Sequence, residues 1–192
     1  MRYLARMLVF ALALTAITAG AALAEPVTGA SGTNGVSGVD VMTATVMQQH
    51  QSSFSGIALR MRIHPPQLIQ QVSLMPTIEY WRNTSNVQPF NIESTRKDAT
   101  LGADMRYDFG PASGFHPYVG AGFGLHFLSS KVNAPTLGLN DAKDSLIKGG
   151  VSALAGVTFG LSGRLNNLVE LKYHHIPDHS QFKINWGLAI DL

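Results

Sequence analysis

Residues 173–182 read YHHIPDHSQF, which places His174, His175, Asp178, His179 and Ser180 within seven positions. These side-chain types serve acid–base, nucleophilic and metal chemistry, and three of the chain's seven histidines fall among them. A serine nucleophile needs an imidazole within hydrogen-bond reach to take its proton. His179 and Ser180 are adjacent, so on a strand they would leave by opposite faces, and no glutamate follows Ser180. A metal would need several nitrogen or oxygen donors converging on one point. His174 and His175 diverge on a strand, whereas His175, Asp178 and His179 could meet across a tight loop. Pro177 and Asp178 are also ordinary turn residues. The expectation is a polar external hairpin, with no catalytic residue, metal or cofactor assigned to it.

A second stretch, FHPYVGAGFGLHF at residues 115–127, sets Gly120, Gly122 and Gly124 two apart. A dinucleotide-binding loop needs its glycines between a strand and a helix of a βαβ unit. Here they lie inside an alternating run, so no nucleotide site is expected. Phe115, Val119, Ala121, Phe123, Leu125 and Phe127 share one face, and His116, Tyr118, the three glycines and His126 share the other.

The same two-residue alternation recurs from residue 40 onward, while no helical stripe persists. SGIALRMRI, LIQQVSLMPTIEYW, DATLGADMRYDF, IKGGVSALAGVTFGL, LNNLVELKYHH and FKINWGLAIDL all split into an apolar and a polar or glycine face. A weaker first strand runs over 39–48, and the count comes to eight. Pro76 removes one ladder donor and predicts a bulge or local irregularity.

Such a sheet can close as a soluble barrel around a hydrophobic ligand or as a membrane barrel with apolar walls. The polar face decides between them. It carries Arg60, Arg62, Glu79, Asp104, Arg106, Lys148, Glu170, Lys172, Lys183 and Asp191, alternating in sign between strands. Facing lipid near the midplane, a charged side chain costs up to about 2–4 kcal/mol. In a lumen these charges can neutralise one another. Gly102, Gly120, Gly122 and Gly124 on that face would make room for arginines and carboxylates of other strands. The expected architecture is an all-β, eight-stranded, antiparallel up-and-down transmembrane β-barrel. Its expected lumen network is Arg60, Arg62, Glu79, Asp104, Arg106, Glu170, Lys172 and Lys183.

Connection lengths agree, because such barrels alternate short periplasmic turns with longer external loops. HPPQ at 64–67, GPASG at 110–114 and SGR at 162–164 are short, whereas 83–97 and 129–146 are long and polar. Tyr80, Trp81, Tyr107, Phe109, Phe115 and Phe182 fall near strand ends, where interfacial aromatics gather. Strict alternation puts Trp81 on the lumen side instead.

The N-terminus carries Arg2 and Arg6, a long apolar run, and Ala22-Leu23-Ala24 before Glu25. This reads as a secretory signal peptide over 1–24, followed by a Gly/Ser/Thr-rich flexible leader over 25–39 and the barrel over 40–192. Removing 1–24 takes away two basic and no acidic residues, so the formal charge falls from +2 to zero and suggests no nucleic-acid partner. The chain has no cysteine, which excludes disulfides and thiolate chemistry.

DATLGADMRYDFG, the FHPYVGAGFGLHF that follows and the closing alternating strand resemble the small outer-membrane β-barrel proteins of the OmpA-like or porin-family type. PYVGAGFG is the most specific part, and the resemblance covers residues 40–192 as a pattern of strands. It implies insertion by the barrel-assembly machinery and no large pore. Families of this type usually finish on an aromatic residue, mostly phenylalanine, that belongs to the insertion signal. This chain finishes on Leu192, which bears on assembly efficiency more than on fold. No peptidoglycan-binding domain is expected after the barrel. Outer-membrane lipid A deacylases carry a histidine, a serine two residues on and a downstream glutamate; this chain departs from that pattern at both points.

These readings converge on a non-enzymatic protein of the bacterial outer membrane with an envelope-structural or surface-interaction role. Its expected partners are membrane lipids, including lipopolysaccharide, and an external ligand at loops 83–97 and 129–146. The alternatives are a barrel enzyme acting on lipid A through His179 or Ser180, and a soluble periplasmic barrel with a hydrophobic ligand.

Overall fold

The computed structural model describes residues 35–48, 53–87, 92–110, 114–134 and 139–192. They form β1 (Gly35–Gln48), β2 (Phe54–His64), β3 (Val72–Val87), β4 (Ile92–Asp108), β5 (Phe115–Ala134), β6 (Leu139–Ser162), β7 (Leu165–His175) and β8 (Gln181–Asp191). Each strand pairs antiparallel with its chain neighbours, and β1 pairs with β8 from Gly38↔Asp191 to Gln48↔Gln181, closing the barrel. Closure leaves no edge within the wall, which hydrocarbon would penalise by several kcal/mol per unpaired group.

The signal-peptide segment, 1–24, and residues 25–34 of the leader lie outside the described residues. The rest of that leader, 35–39, is a correction: it is strand, with Gly38 opposite both Arg62 and Asp191. A Gly/Ser-rich sequence is a weak strand former alone, but ladder partners on both sides hold it. Strand β3 starts at Val72 rather than Leu68, because 65–71 forms two turns closed by Leu68 N–H to Pro65 O at 3.1 Å and Val72 N–H to Ile69 O at 2.9 Å. Pro76 interrupts the ladder without a bulge. Pairing with β2 lapses between Arg60↔Thr77 and Ile63↔Leu74, while the β4 side stays in register through Pro76↔Ala103.

The largest difference lies on the side away from the short turns. In segments 83–97 and 129–146, expected as loops, the described residues are strand, and 88–91 and 135–138 lie outside the described residues. β3 and β4 stay paired to Val87↔Ile92, β5 and β6 to Ala134↔Leu139, and Glu93↔Asn133 joins the two hairpins. Polar composition suggested loop, but continuing an established register adds ladder bonds at little further entropic cost. On the flanks, β2 meets β3 only as far as Gly56↔Trp81, and β7 meets β6 only as far as Val151↔His175. The β3–β6 half therefore rises as a four-stranded blade above the β7–β8–β1–β2 rim.

Side-chain alternation follows the barrel wall. Phe123 and Trp186 are 67% and 66% exposed on the outside, whereas Arg60 and Glu170 are 1% and 0% exposed within. Tyr107 meets Phe109 at 5.1 Å between ring centroids and Phe115 meets Phe159 at 5.9 Å, forming an aromatic band at the short-turn end. Trp81 is buried in the lumen against Phe54, centroids 4.5 Å apart.

The glycines make space for several kinds of group. A Cβ on Gly122 would collide with Ala103 O and the Asp104 carboxylate, the use expected of it. At Gly120 the space is taken by Met105 O and the Leu154 side chain, at Gly156 by the Tyr118 ring, and at Gly102 by a backbone carbonyl of β5. The expectation that arginines and carboxylates fill all these gaps is thus too narrow.

Gly122→Leu is expected to cost about 1–3 kcal/mol by overpacking. Ala121→Leu, on the exposed face, is expected to change stability by less than about 0.5 kcal/mol. Heat-modifiable gel migration after refolding in detergent compares them, and equal losses would overturn the assignment of faces.

Candidate functional site

The lumen side chains of β7 organise the interior, because Glu170, Lys172 and His174 occupy alternate positions and all point inward. Glu170 accepts two hydrogen bonds from Arg60 of β2, at 2.7 and 2.8 Å, in a bidentate pair. It also accepts from Tyr118 Oη at 3.1 Å and Asn185 Nδ2 at 2.8 Å. One step further along, Lys172 donates to Glu79 at 2.8 Å and Asp104 at 2.7 Å, Lys183 also binds Glu79, and Ser152 donates to Asp104 at 2.7 Å. These groups are buried, so each charge loses its hydration and is held by its counter-charges instead.

Towards the short-turn end, Arg62 bridges Asp40 at 3.0 Å and Asp191 at 2.7 Å, and Asn166 donates to Asp191 at 2.8 Å. Arg106 binds Asp108 at 2.9 Å and lays its guanidinium over the Tyr118 ring at 3.7 Å. At the opposite end, His126 Nδ1 lies 2.8 Å from Asp98, and its Nε2 lies 3.2 Å from His174 Nδ1. With His126 Nδ1–H donating to Asp98, its Nε2 is left to accept from His174 Nδ1–H. His174 Nε2 stands 3.8 Å from Glu79, beyond hydrogen-bond reach, and is buried with no hydrogen-bond partner among the described residues. Gln181 donates to Asp98 at 3.2 Å.

All eight residues expected in the lumen network are therefore inside. Arg60, Glu79, Asp104, Arg106, Glu170, Lys172 and Lys183 are buried, and Arg62 sits partly open at the end of the barrel. Sequence reasoning left out Asp40, Asp98, Tyr118, His126, His174 and Asn185. Their signal was present, since each shares the polar face of its strand. The lumen is also less polar than expected: Met42, Ala58, Met75, Tyr118, Leu154, Leu168 and Ala189 pack as one apolar cluster, and Ala44, Val46, Phe54 and Trp81 as another. A narrow interior favours filling by volume, and apolar side chains fill the levels where no counter-charge is available.

The His-rich turn brings together a different pair from the adjacent one. Ser180 Oγ lies 3.2 Å from His175 Nδ1, whereas His179 caps the turn with its N–H on Ile176 O at 3.0 Å. Asp178 holds φ at +65°, a left-handed conformation that aspartate tolerates. Lys148 of β6 donates to Pro177 O at 2.8 Å and Asp178 at 3.2 Å. His175, Asp178 and His179 do not converge, and no group of three His, Asp or Glu among the described residues is placed to hold a metal.

The sequence matches the model of the family described as outer membrane protein beta-barrel domain over residues 9–189. No curated protein sequence matches it. Among solved structures it is similar to the Neisserial surface protein A, with 16% identity, a TM-score of 0.61, and coverage of 83% of this chain and 98% of that one. It is also similar to the attachment invasion locus protein Ail of Yersinia pestis in complex with the heparin analogue sucrose octasulfate, with 14% identity, a TM-score of 0.59, and coverage of 83% and 99%. A third is the N-terminal β-barrel domain of OprF of Pseudomonas aeruginosa, with 15% identity, a TM-score of 0.55, and coverage of 82% and 99%. These likenesses concern the fold.

Glu170→Ala is expected to destabilise the barrel by about 3–5 kcal/mol, since it leaves Arg60 buried without its counter-charge. The double variant Arg60→Met, Glu170→Leu is expected to recover most of that loss. Urea unfolding of the vesicle-inserted protein measures both, and a double variant no more stable than Glu170→Ala would show that the pair carries no such penalty.

Proposed function

Because the chain belongs to the outer membrane protein beta-barrel domain family, we propose that it is a non-enzymatic envelope protein whose barrel anchors an external contact surface. The observation that carries this reading is the cross-lumen network, in which Glu170 of β7 reaches Arg60 of β2 and Lys172 reaches Glu79 of β3 and Asp104 of β4. An eight-stranded interior is about as wide as its side chains. Filled in this way, it favours a rigid plug over a large pore.

The contact surface is the blade, whose described strands run over 83–87, 92–97, 129–134 and 139–146. Loops and arms on a rigid scaffold are where binding residues concentrate. The similar barrel of Yersinia pestis was solved with a heparin analogue, which supports an external ligand for this chain as well. The remaining partners are outer-membrane lipids, including lipopolysaccharide, and the barrel-assembly machinery. Residues 1–24 act as the cleaved export signal, and 25–34 lead from it into the barrel.

The lipid-modifying alternative rests on the Ser180–His175 contact, not on His179. Among the described residues no carboxylate orients His175, so the pair lacks the third group that makes such a dyad effective.

The protein is expected in the outer-membrane fraction with heat-modifiable migration, and recovery in the aqueous periplasm would overturn the reading. Planar bilayers containing it are expected to stay free of stable porin-like conductance steps. Lipid A mass spectra with and without the protein are expected to match, and loss of an acyl chain would favour the enzyme.

A further inference from the structure

The outward face of the blade is ordered in tiers by the strand register. Tyr80, Ala99, Phe127 and Ile147 are direct cross-strand neighbours and close the apolar belt. Two residues further from the belt, roughly 7 Å along each strand, comes the row Arg82, Lys97, Ser129 and Ser145, all four exposed. The next row is Thr84, Thr95, Lys131 and Lys143. Arg82 thus lies opposite Lys97, and Lys131 opposite Lys143. Like charges placed opposite one another on a sheet repel. Neither row contains an acidic residue, and among the described residues Arg82, Lys97 and Lys143 form no ion pair. The inner face of the same strands differs, since Arg96 and Asp144 share the row Arg96, Ser130, Asp144 and balance in sign.

We propose that Arg82, Lys97 and Lys143, with the hydroxyls of Ser129 and Ser145, bind the phosphate groups of an outer-leaflet lipid on the outside of the barrel. The inference rests on the outer-membrane reading and deepens it by naming the lipid-phosphate site. Guanidinium and ammonium groups with neighbouring hydroxyls supply the charge-assisted donors a phosphate requires. Position selects a lipid over a soluble anion. A molecule whose phosphate sits between Arg82 and Lys97 lays its acyl chains directly on Tyr80, Phe127 and Ile147, which are 41%, 44% and 63% exposed. Bound phosphate also removes the cross-strand repulsion, so the site stabilises the base of the blade when filled.

The test uses the folded full chain in nanodiscs containing either bisphosphorylated lipid A or its dephosphorylated form, with retained lipid read by native mass spectrometry. The wild type is expected to hold the phosphorylated form preferentially. The double variant Arg82→Ala, Lys97→Ala is expected to lower that retention by about tenfold or more, at roughly 1 kcal/mol per surface cation. Arg96→Ala, on the inner face, is expected to leave it unchanged. Equal retention of the two lipids by the wild type would overturn the proposal, as would an equal loss with Arg96→Ala. So would displacement of the lipid by millimolar inorganic phosphate or by sucrose octasulfate, which would assign the patch to soluble anions. Heat-modifiable migration of every variant reports the barrel separately, so a failed lipid site and a failed barrel give different results.

Discussion

A backbone that crosses hydrocarbon must find every hydrogen-bond partner within the protein, and the structure depends on that constraint. Pairing of β1 with β8 satisfies it by abolishing the last open edge of the wall. Once the ring is closed, the inward or outward direction of each side chain is set by parity. A slip of one residue in β7 would turn Glu170, Lys172 and His174 to lipid and Val169, Leu171 and Tyr173 to the lumen. The wall and the network therefore specify the same register, one through apolar exposure and the other through buried charge.

The interior shows how that specification works. Successive lumen positions of β7 address different walls: Glu170 reaches β2, β5 and β8, Lys172 reaches β3 and β4, and His174 reaches β5. Apart from Glu170–Asn185, which lies within the β7–β8 hairpin, these contacts join strands that are not neighbours, so Glu170 and Lys172 meet their counter-charges only when distant strands arrive. Net stabilisation from such buried pairs is small when set against a well-packed apolar core. Their larger effect is that a wrong register strands a charge, which is costly. The apolar clusters around Met75 and Trp81 fill the remaining volume.

Above the rim the constraint relaxes, because water can satisfy an edge. Among the described residues β3–β6 continue there while the other four strands stop, so the blade carries two open edges that would not be tolerated in the membrane. Its outer face changes within two residues from Tyr80 to Arg82 and from Ala99 to Lys97, which marks the passage from hydrocarbon to headgroup. The inner face also turns polar, from Trp81, Leu128 and Leu146 to Asn83, Ser130 and Asp144, but there Arg96 and Asp144 balance in sign. The two faces of one sheet thus meet different surroundings, and their compositions diverge accordingly.

The period of two along each strand, with apolar residues on one side and charges or glycines on the other, was enough to establish an eight-stranded membrane barrel and its lumen-facing residues. These properties are local, since alternation is written into consecutive residues. Parity also carried Asp98, Tyr118, His126 and His174, and they were overlooked because a histidine or tyrosine on a polar face does not announce a buried role. Which charges meet was decided by the tertiary structure alone. The pairing of Arg60 with Glu170 depends on stagger and closure, which bring positions 110 residues apart within hydrogen-bond distance. The same holds for the serine that faces His175 instead of His179, and for the long polar segments that zip into a blade. Local sequence defines the face of a strand, but distances across a closed sheet arise only when all its strands are in place.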